Sequence, residues 1–231
     1  MLFTVTDKSG NKSLHWRENQ EITGDIVTDG NGQRIGIMGG TFDPIHFGHL
    51  VAAEAARFQL NLDRVIFVPS GQPPHKKAVG VTPANHRLAM TNLAIADNCH
   101  FQSSQVELLR SGPSYTIDTV KYFLEQWPGA QIYFITGADV ILELLTWKDA
   151  MGLLELCYFI AVTRPGYDLE QLKYLKDRLP SGLGEKIITL QVPGIAISST
   201  ELRQRVQLAE PIKYLVPEGV SAYINQHNLY Q

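Results

Sequence analysis

From Arg34 onward, short apolar runs at 35–38, 65–68, 105–108, 132–136, 158–162 and 186–190 alternate with longer stretches of helical period. Strands that short, separated by helices, are joined by crossovers, and crossovers make neighbouring strands parallel. The alternation therefore predicts an α/β, Rossmann-like parallel sheet with helices on both faces. Helices are expected over 48–59, 84–96, 116–126, 140–145, 149–155, 169–177, 200–207 and 220–226. Thr82-Pro83 suits the cap and first turn of the second, because proline is tolerated where its missing N–H would have had no partner. Ligands of open parallel sheets bind beyond the carboxyl ends of the strands. Chemistry is therefore sought in the loops after Met38, Val68, Thr136 and Leu190.

Residues 1–33 read differently. They are polar and end in the turn-forming cluster Asp29-Gly30-Asn31-Gly32. The expectation is an N-terminal extension, either a hairpin pairing 3–6 with 21–28 or a disordered tail, followed by one domain over 34–231. With 44% hydrophobic and 19% charged residues the chain can bury a sizeable core. Lys and Arg number 20 against 23 Asp and Glu, net -3, so no global positive field exists to hold a nucleic acid. Cys99 and Cys157 allow at most one disulfide, which fits a reducing cytoplasm. The first residues lack the apolar run of a signal peptide, and no stretch approaches the roughly 20 apolar residues of a membrane span.

The most informative stretch is Gly39-Gly40-Thr41-Phe42-Asp43-Pro44-Ile45-His46-Phe47-Gly48-His49. Two glycines after a strand permit a tight turn and let backbone N–H groups approach a ligand. His46 and His49, three apart, share a face of a helix that starts near His46, where the positive end of the helix dipole lies. Such a place suits phosphate. Two zinc ligands are the alternative, but a third Cys or His at obvious spacing is missing. A dinucleotide fold of the dehydrogenase type would need G-x-G-x-x-G, whereas this chain has Gly36-x-x-Gly39-Gly40.

Further motifs follow in order: Pro73-Pro74-His75-Lys76, Ser114-Tyr115-Thr116-Ile117-Asp118-Thr119, Gly137-Ala138-Asp139, Trp147, and Ile197-Ser198-Ser199-Thr200-x-Leu-Arg203. Together with the glycine–histidine stretch they resemble the nucleotidylyltransferase superfamily, in its bacterial nicotinate-nucleotide adenylyltransferase form. The resemblance runs from about Arg34 to the last residues.

Several of these residues carry two readings. Ser198 to Glu201 is a plain S-x-x-E capping box, and a capped helix with Arg203 on its first turns also binds phosphate. Lys76, after a stiff Pro-Pro segment, is either a cation over the site or ordinary surface charge. Arg87, early in the second helix, is either near the substrate or solvent-facing, and Arg205 reads as a solvated surface charge; contact of Lys77, Arg87 or Arg205 with substrate is left open. Trp147 is core or a stacking platform for an electron-poor ring, and Asp139 is a helix cap or an acceptor of ribose hydroxyls.

The resemblance implies that Ser198, Ser199 and Arg203 meet the triphosphate of ATP. It also implies that Trp147 stacks on a nicotinate ring while Tyr115 and Thr116 bond its carboxylate. Gly39, Gly40, Thr41, Phe42, Gly137 and Ile197 complete the implied substrate pocket, with His46, His49 and Arg203 as catalytic groups. The implied reaction joins ATP and nicotinate mononucleotide, with magnesium held mainly through substrate phosphates. The partners are then small molecules, with no nucleic acid or membrane, and a homo-oligomer is left open. Alternatives are transfer to nicotinamide mononucleotide, phosphopantetheine or an alcohol phosphate, and a non-catalytic nucleotide-binding protein on the same fold. An aminoacyl-tRNA synthetase would need a KMSKS-like loop, and the chain has none.

Overall fold

The computed structural model describes residues 2–6 and 12–16 as backbone and residues 32–72 and 80–231 in full. Strands β1 (Leu2–Thr6) and β2 (Lys12–Trp16) pair antiparallel, Leu2 opposite Trp16. The segment 21–28, expected as the second arm of a hairpin, lies outside the described residues.

Six strands form the main sheet: β3 (Arg34–Gly40), β4 (Arg64–Pro69), β5 (Phe101–Ser103), β6 (Gln131–Gly137), β7 (Tyr158–Thr163) and β8 (Ile187–Gln191). Their spatial order is β5-β4-β3-β6-β7-β8, and every neighbouring pair is parallel. The chain begins this sheet in the middle, works outward through β4 and β5, then returns to lay β6 on the other side of β3. The switch point therefore falls between β3 and β6, and a crevice opens there beyond their carboxyl ends.

Period-two alternation sends successive side chains to opposite faces of the sheet. Ile35, Ile37, Ile132, Phe134, Phe159 and Ala161 build one core with α4 (Thr116–Gln126), α6 (Ala150–Leu156) and α7 (Glu170–Asp177). Met38, Val65, Phe67, Tyr133, Ile135 and Ile160 build the other with α1 (Phe47–Gln59), α2 (Ala84–Ile95), α8 (Ser199–Gln207) and α9 (Glu218–Gln226). Gly36 belongs to the second face. A Cβ there would lie 3.0–3.1 Å from methyl groups of Leu62, Ile135 and Val65, so the missing side chain lets these close on the strand.

Two elements depart from the sequence reading. The strand expected at 105–108 is instead α3 (Val106–Leu109), a single helical turn, and the edge strand lies earlier at Phe101–Ser103. Gln-Val-Glu-Leu alternates like a strand. However, Ser104 Oγ accepts the Val106 N–H at 3.3 Å and curls the chain, while Thr119 Oγ1 donates to the buried Glu107 carboxylate at 2.7 Å. The helix expected over 140–145 splits into α5 (Ala138–Ile141) and a 3₁₀ turn, Leu144–Thr146. α5 starts directly on the end of β6, with Gly137 as its N-cap.

Candidate active site

A cavity of about 870 Å³ occupies the switch point, in the size range of small-molecule sites. Its floor is the carboxyl end of β3 and β6, with Gly39, Thr41 and Phe42 on one side and Thr136, Gly137 and Asp139 on the other. Helices α1 and α8 present their N-termini to it, through His46, Gly48 and His49 and through Ser198, Ser199 and Arg203, with Ile197 beside them. Two helix N-termini on one cavity superimpose two partial positive charges, a field that favours an anion.

Beginning a helix at Phe47 places His46 at the N-cap and His49 one turn along, so the two rings stack with centroids 3.8 Å apart. Phe42 packs edge-on against His49, at 5.1 Å and 88°. His49 Nδ1 accepts the backbone N–H of His46 at 3.2 Å. The neutral imidazole must then carry its proton on Nε2 and act there as a donor. His46 Nδ1 is buried and has no hydrogen-bond partner among the described residues.

Burial, and then the field of Arg164, lowers the His46 pKa to about 4; burial and the neighbouring His46 hold His49 well below the ordinary imidazole range. At neutral pH both rings are therefore uncharged donors in the ligand-free protein. Desolvation in their own pocket is the main cause, so they face a ligand as neutral donors. A group whose folded pKa lies below its unfolded value of about 6.5 costs stability as pH falls from there toward 4. Across that window the unfolding midpoint should fall more steeply in the parent than in His46→Gln. Parallel midpoint-versus-pH curves would remove His46 as the cause.

Arg203 reaches back from α8 to the loop after β3. Its Nη1 donates to the Asp43 carbonyl at 2.7 Å and its Nη2 contacts Thr200 Oγ1 at 3.3 Å. Ser198 Oγ caps α8 by accepting the Glu201 N–H, and Ser199 Oγ donates to the Pro44 carbonyl at 2.9 Å. Glu201 does not close the capping box; its carboxylate takes Arg205 Nε at 3.1 Å. Arg205 also pairs with Glu210 and stays a surface charge.

Tyr115, Thr116 and Trp147 do not line this cavity. Trp147 is half-buried and meets Phe134 and Phe159 edge-on at 6.0 Å each. Tyr115 is the N-cap of α4, with Lys148 Nζ 4.3 Å above its ring. The two groups of residues nevertheless adjoin. A Cβ on Gly39 would fall 2.8 Å from Phe134 Cζ, so the Phe134 ring has the cavity floor on one side and Trp147 at its edge. Gly40 is also absent from the lining; a Cβ there would strike the Phe42 ring at 2.8 Å, and its carbonyl accepts the Ser70 N–H. Asp139 sits in the first turn of α5 and is not its cap. Lys76 lies outside the described residues.

Arg87 is not solvent-facing, one of its two sequence readings. It is only 2% exposed, donating from Nε to the Thr82 carbonyl and from Nη1 to the Thr41 carbonyl, both at 2.8 Å. Arg164 and Tyr167, after β7, line the cavity and were not anticipated. The carboxyl-end rule, applied to the Thr163-Arg164-Pro165 turn as it was to the other strands, finds them. Among the described residues no three His, Cys, Asp or Glu side chains cluster as a metal site, and no helix is long and apolar enough to cross a membrane.

The cytidylyltransferase-like family model matches residues 37–205. Over 199 residues the chain is 55% identical to a relative named "Probable nicotinate-nucleotide adenylyltransferase" from Moorella thermoacetica, covering 86% of this chain and 92% of the relative. A relative of the same name from Corynebacterium kroppenstedtii is 48% identical over 205 residues, covering 89% and 94%. Among solved structures, Plasmodium falciparum nicotinic acid mononucleotide adenylyltransferase complexed with NaAD superimposes with a TM-score of 0.66 at 22% identity, covering 86% of this chain and 97% of that one. At that identity the likeness concerns the fold.

Proposed function

The chain belongs to the nicotinate-nucleotide adenylyltransferases of the cytidylyltransferase-like family, and from that premise we propose how its cavity transfers AMP from ATP to nicotinate mononucleotide. The products are nicotinate adenine dinucleotide and pyrophosphate, a step of NAD biosynthesis. The observation that carries the assignment of roles is the convergence of His46, His49, Arg203 and two helix N-termini on one cavity.

An oxygen of the mononucleotide phosphate attacks the α-phosphorus of ATP as the bond to pyrophosphate breaks. The nucleophile is already anionic at neutral pH, so no protein base is needed. The work left to the protein is to hold the reactants in line and to stabilise charge on the leaving pyrophosphate. His46 and His49 donate to the phosphates, and Arg203 supplies a fixed positive charge. As the triphosphate enters, its negative charge raises the pKa of both imidazoles, which strengthens their donation during the reaction. Ser198 and Ser199 act through the capped end of α8, and Thr41, Phe42, Ile197 and Gly137 shape the walls. Asp139 accepts ribose hydroxyls with the acceptor sites its carboxylate keeps beside Tyr167.

Both carboxylates of the cavity are already engaged. Asp43 accepts the Tyr230 O–H and the Thr82 N–H, and Asp139 lies against Tyr167, whose hydroxyl pKa is raised by burial and then by the Asp139 carboxylate. That donor set fits a magnesium ion carried by substrate phosphates and water, not a protein-held one. Bound so, it would neutralise charge on the phosphate oxygens.

Trp147, with Tyr115 and Thr116 at the N-terminus of α4, forms the nicotinate half of the site. Trp147→Ala should weaken mononucleotide binding about 10-fold and leave ATP affinity within about 2-fold, the scale of one aromatic stack with its buried area. Equal losses for both ligands in calorimetry would sink the stacking role.

We place the catalytic unit at 34–231. The free thiols of Cys99 and Cys157 support a reducing cytoplasm. Incubating the protein with Mg-ATP and either nicotinate or nicotinamide mononucleotide, or phosphopantetheine, tests the whole reading. Dinucleotide and pyrophosphate should form fastest with nicotinate mononucleotide; no pyrophosphate from any acceptor would overturn it.

A further inference from the structure

Asp43 is buried, 3% exposed, yet three distant parts of the chain meet on it. The Thr82 N–H donates to its Oδ2 at 3.2 Å, ahead of α2. Arg203 Nη1 donates to its carbonyl at 2.7 Å. The third contact comes from the segment after α9, where the Tyr230 hydroxyl donates to Asp43 Oδ1 at 2.7 Å.

We propose that Tyr230 is a positioning residue of the adenylyl-transfer site, a latch by which the segment after α9 holds the loop between β3 and α1 in its working geometry. Two independent observations carry this. The first is the bond itself, between a half-buried phenol and a buried carboxylate whose other oxygen is taken. The second is the backbone. Tyr230 has φ +66°, in the left-handed region that non-glycine residues adopt at a cost. Such a conformation persists where surrounding contacts over-determine it. Here the hydroxyl bond supplies one contact and packing of Leu229 and Tyr230 on the core beneath α1 and α2 supplies the rest. Burial and the Asp43 carboxylate also push the phenol pKa upward, so the proton that makes the bond stays in place at assay pH.

The consequence is directional. Phe42 and His46 flank Asp43 in the loop, and its carbonyl anchors Arg203, so loosening Asp43 displaces the groups that meet the triphosphate. Trp147 packs on Phe134 and Phe159, and Tyr115 lies beneath Lys148; these contacts do not run through Asp43. This part of the inference rests on the catalytic reading given above.

Tyr230→Phe removes the hydroxyl and keeps the ring. A hydrogen bond to a charged group is worth roughly a factor of 10 to 100 in an equilibrium. Amide hydrogen exchange over 42–50, which includes the His49 and Leu50 amides bonded to the His46 carbonyl, should quicken about 10-fold, with β3 and β6 unchanged. Kinetically, kcat should fall about 10-fold, with KM for nicotinate mononucleotide within about 2-fold. Unchanged exchange over 42–50, or parental kcat beside an active parent, would overturn the latch. So would exchange that rises throughout the sheet with both KM values, the mark of general loosening. Absence of dinucleotide from the parent would sink the catalytic reading instead, and the exchange experiment would still decide the latch.

Discussion

His49→Ala lowers kcat by about 10²–10³, the range for removing one preorganised donor to developing negative charge, while KM for nicotinate mononucleotide moves less than about 3-fold. The split follows from the ring's fixed attitude. Stacked on His46 at 3.8 Å, edged by Phe42 at 5.1 Å and accepting a backbone N–H on Nδ1, it can offer only Nε2 to a ligand. It lies partly buried at the cavity wall, where water screens its donation less than at an open surface. A donor aimed at phosphate gains most where charge builds, on the pyrophosphate as it leaves. In the proposed assignment, ground-state binding of the mononucleotide relies on the Trp147 side instead. Steady-state kinetics supplies the numbers, and a single-turnover experiment shows whether the lost rate is the transfer step. A kcat within about 3-fold of the parent would remove His49 from the mechanism.

How much of this was legible in the sequence differs residue by residue. Four of the six strands were readable as largely buried apolar runs ending in glycine, proline or a charged turn, and the edge strand β8 was readable from its Ile187, Ile188 and Leu190 although Thr189 and Gln191 are exposed. The sixth failed at 105–108, where strand-like alternation was overruled by the Ser104 side chain and by the bond between Thr119 and Glu107, a contact across sequence that periodicity does not encode. The site was legible wherever its residues act through local geometry. The histidines one helical turn apart and the Ser198 cap follow from spacing alone, whereas the expected Gly-Gly turn does not form, because Gly39 and Gly40 are the last residues of β3 and pair with Val68 and Pro69. Residues that act through distant backbone were not legible. Thr82-Pro83 was read as a cap and first turn. The structure puts Pro83 itself at the N-cap of α2, and spends the Thr82 main chain on Asp43 and Arg87. Tyr230 gave no signal, and Arg87 only an undecided one, since an arginine early in a helix and a tyrosine after the last one are ordinary surface residues until the partners are known.

Arg87→Ala should therefore cost about 3–5 kcal/mol of folding stability, far beyond what a surface arginine would. Truncation removes two charge-assisted hydrogen bonds, to the Thr41 and Thr82 carbonyls, at roughly 1.5–3 kcal/mol each, and opens a void where the buried arginine stem packed. Burial lowers the Arg87 pKa, and the Asp43 carboxylate, then Tyr230 and Glu107, oppose that shift. The guanidinium nevertheless remains charged, as arginine does in proteins. Its planar fork spans two carbonyls that belong to different loops, one from the phosphate side of β3 and one from the entry to α2. Lysine carries one point of donation and cannot bridge both, so Arg87→Lys should recover less than half of the loss. For a chain of this length each kcal/mol is about 2–4 °C, so thermal unfolding of the alanine variant should come roughly 10 °C early. Guanidinium titration gives the free energy directly, with the slope checked against the parent to exclude a change in the unfolded state. A loss below about 1 kcal/mol, or full recovery by lysine, would mean that the fork does not hold the two loops together.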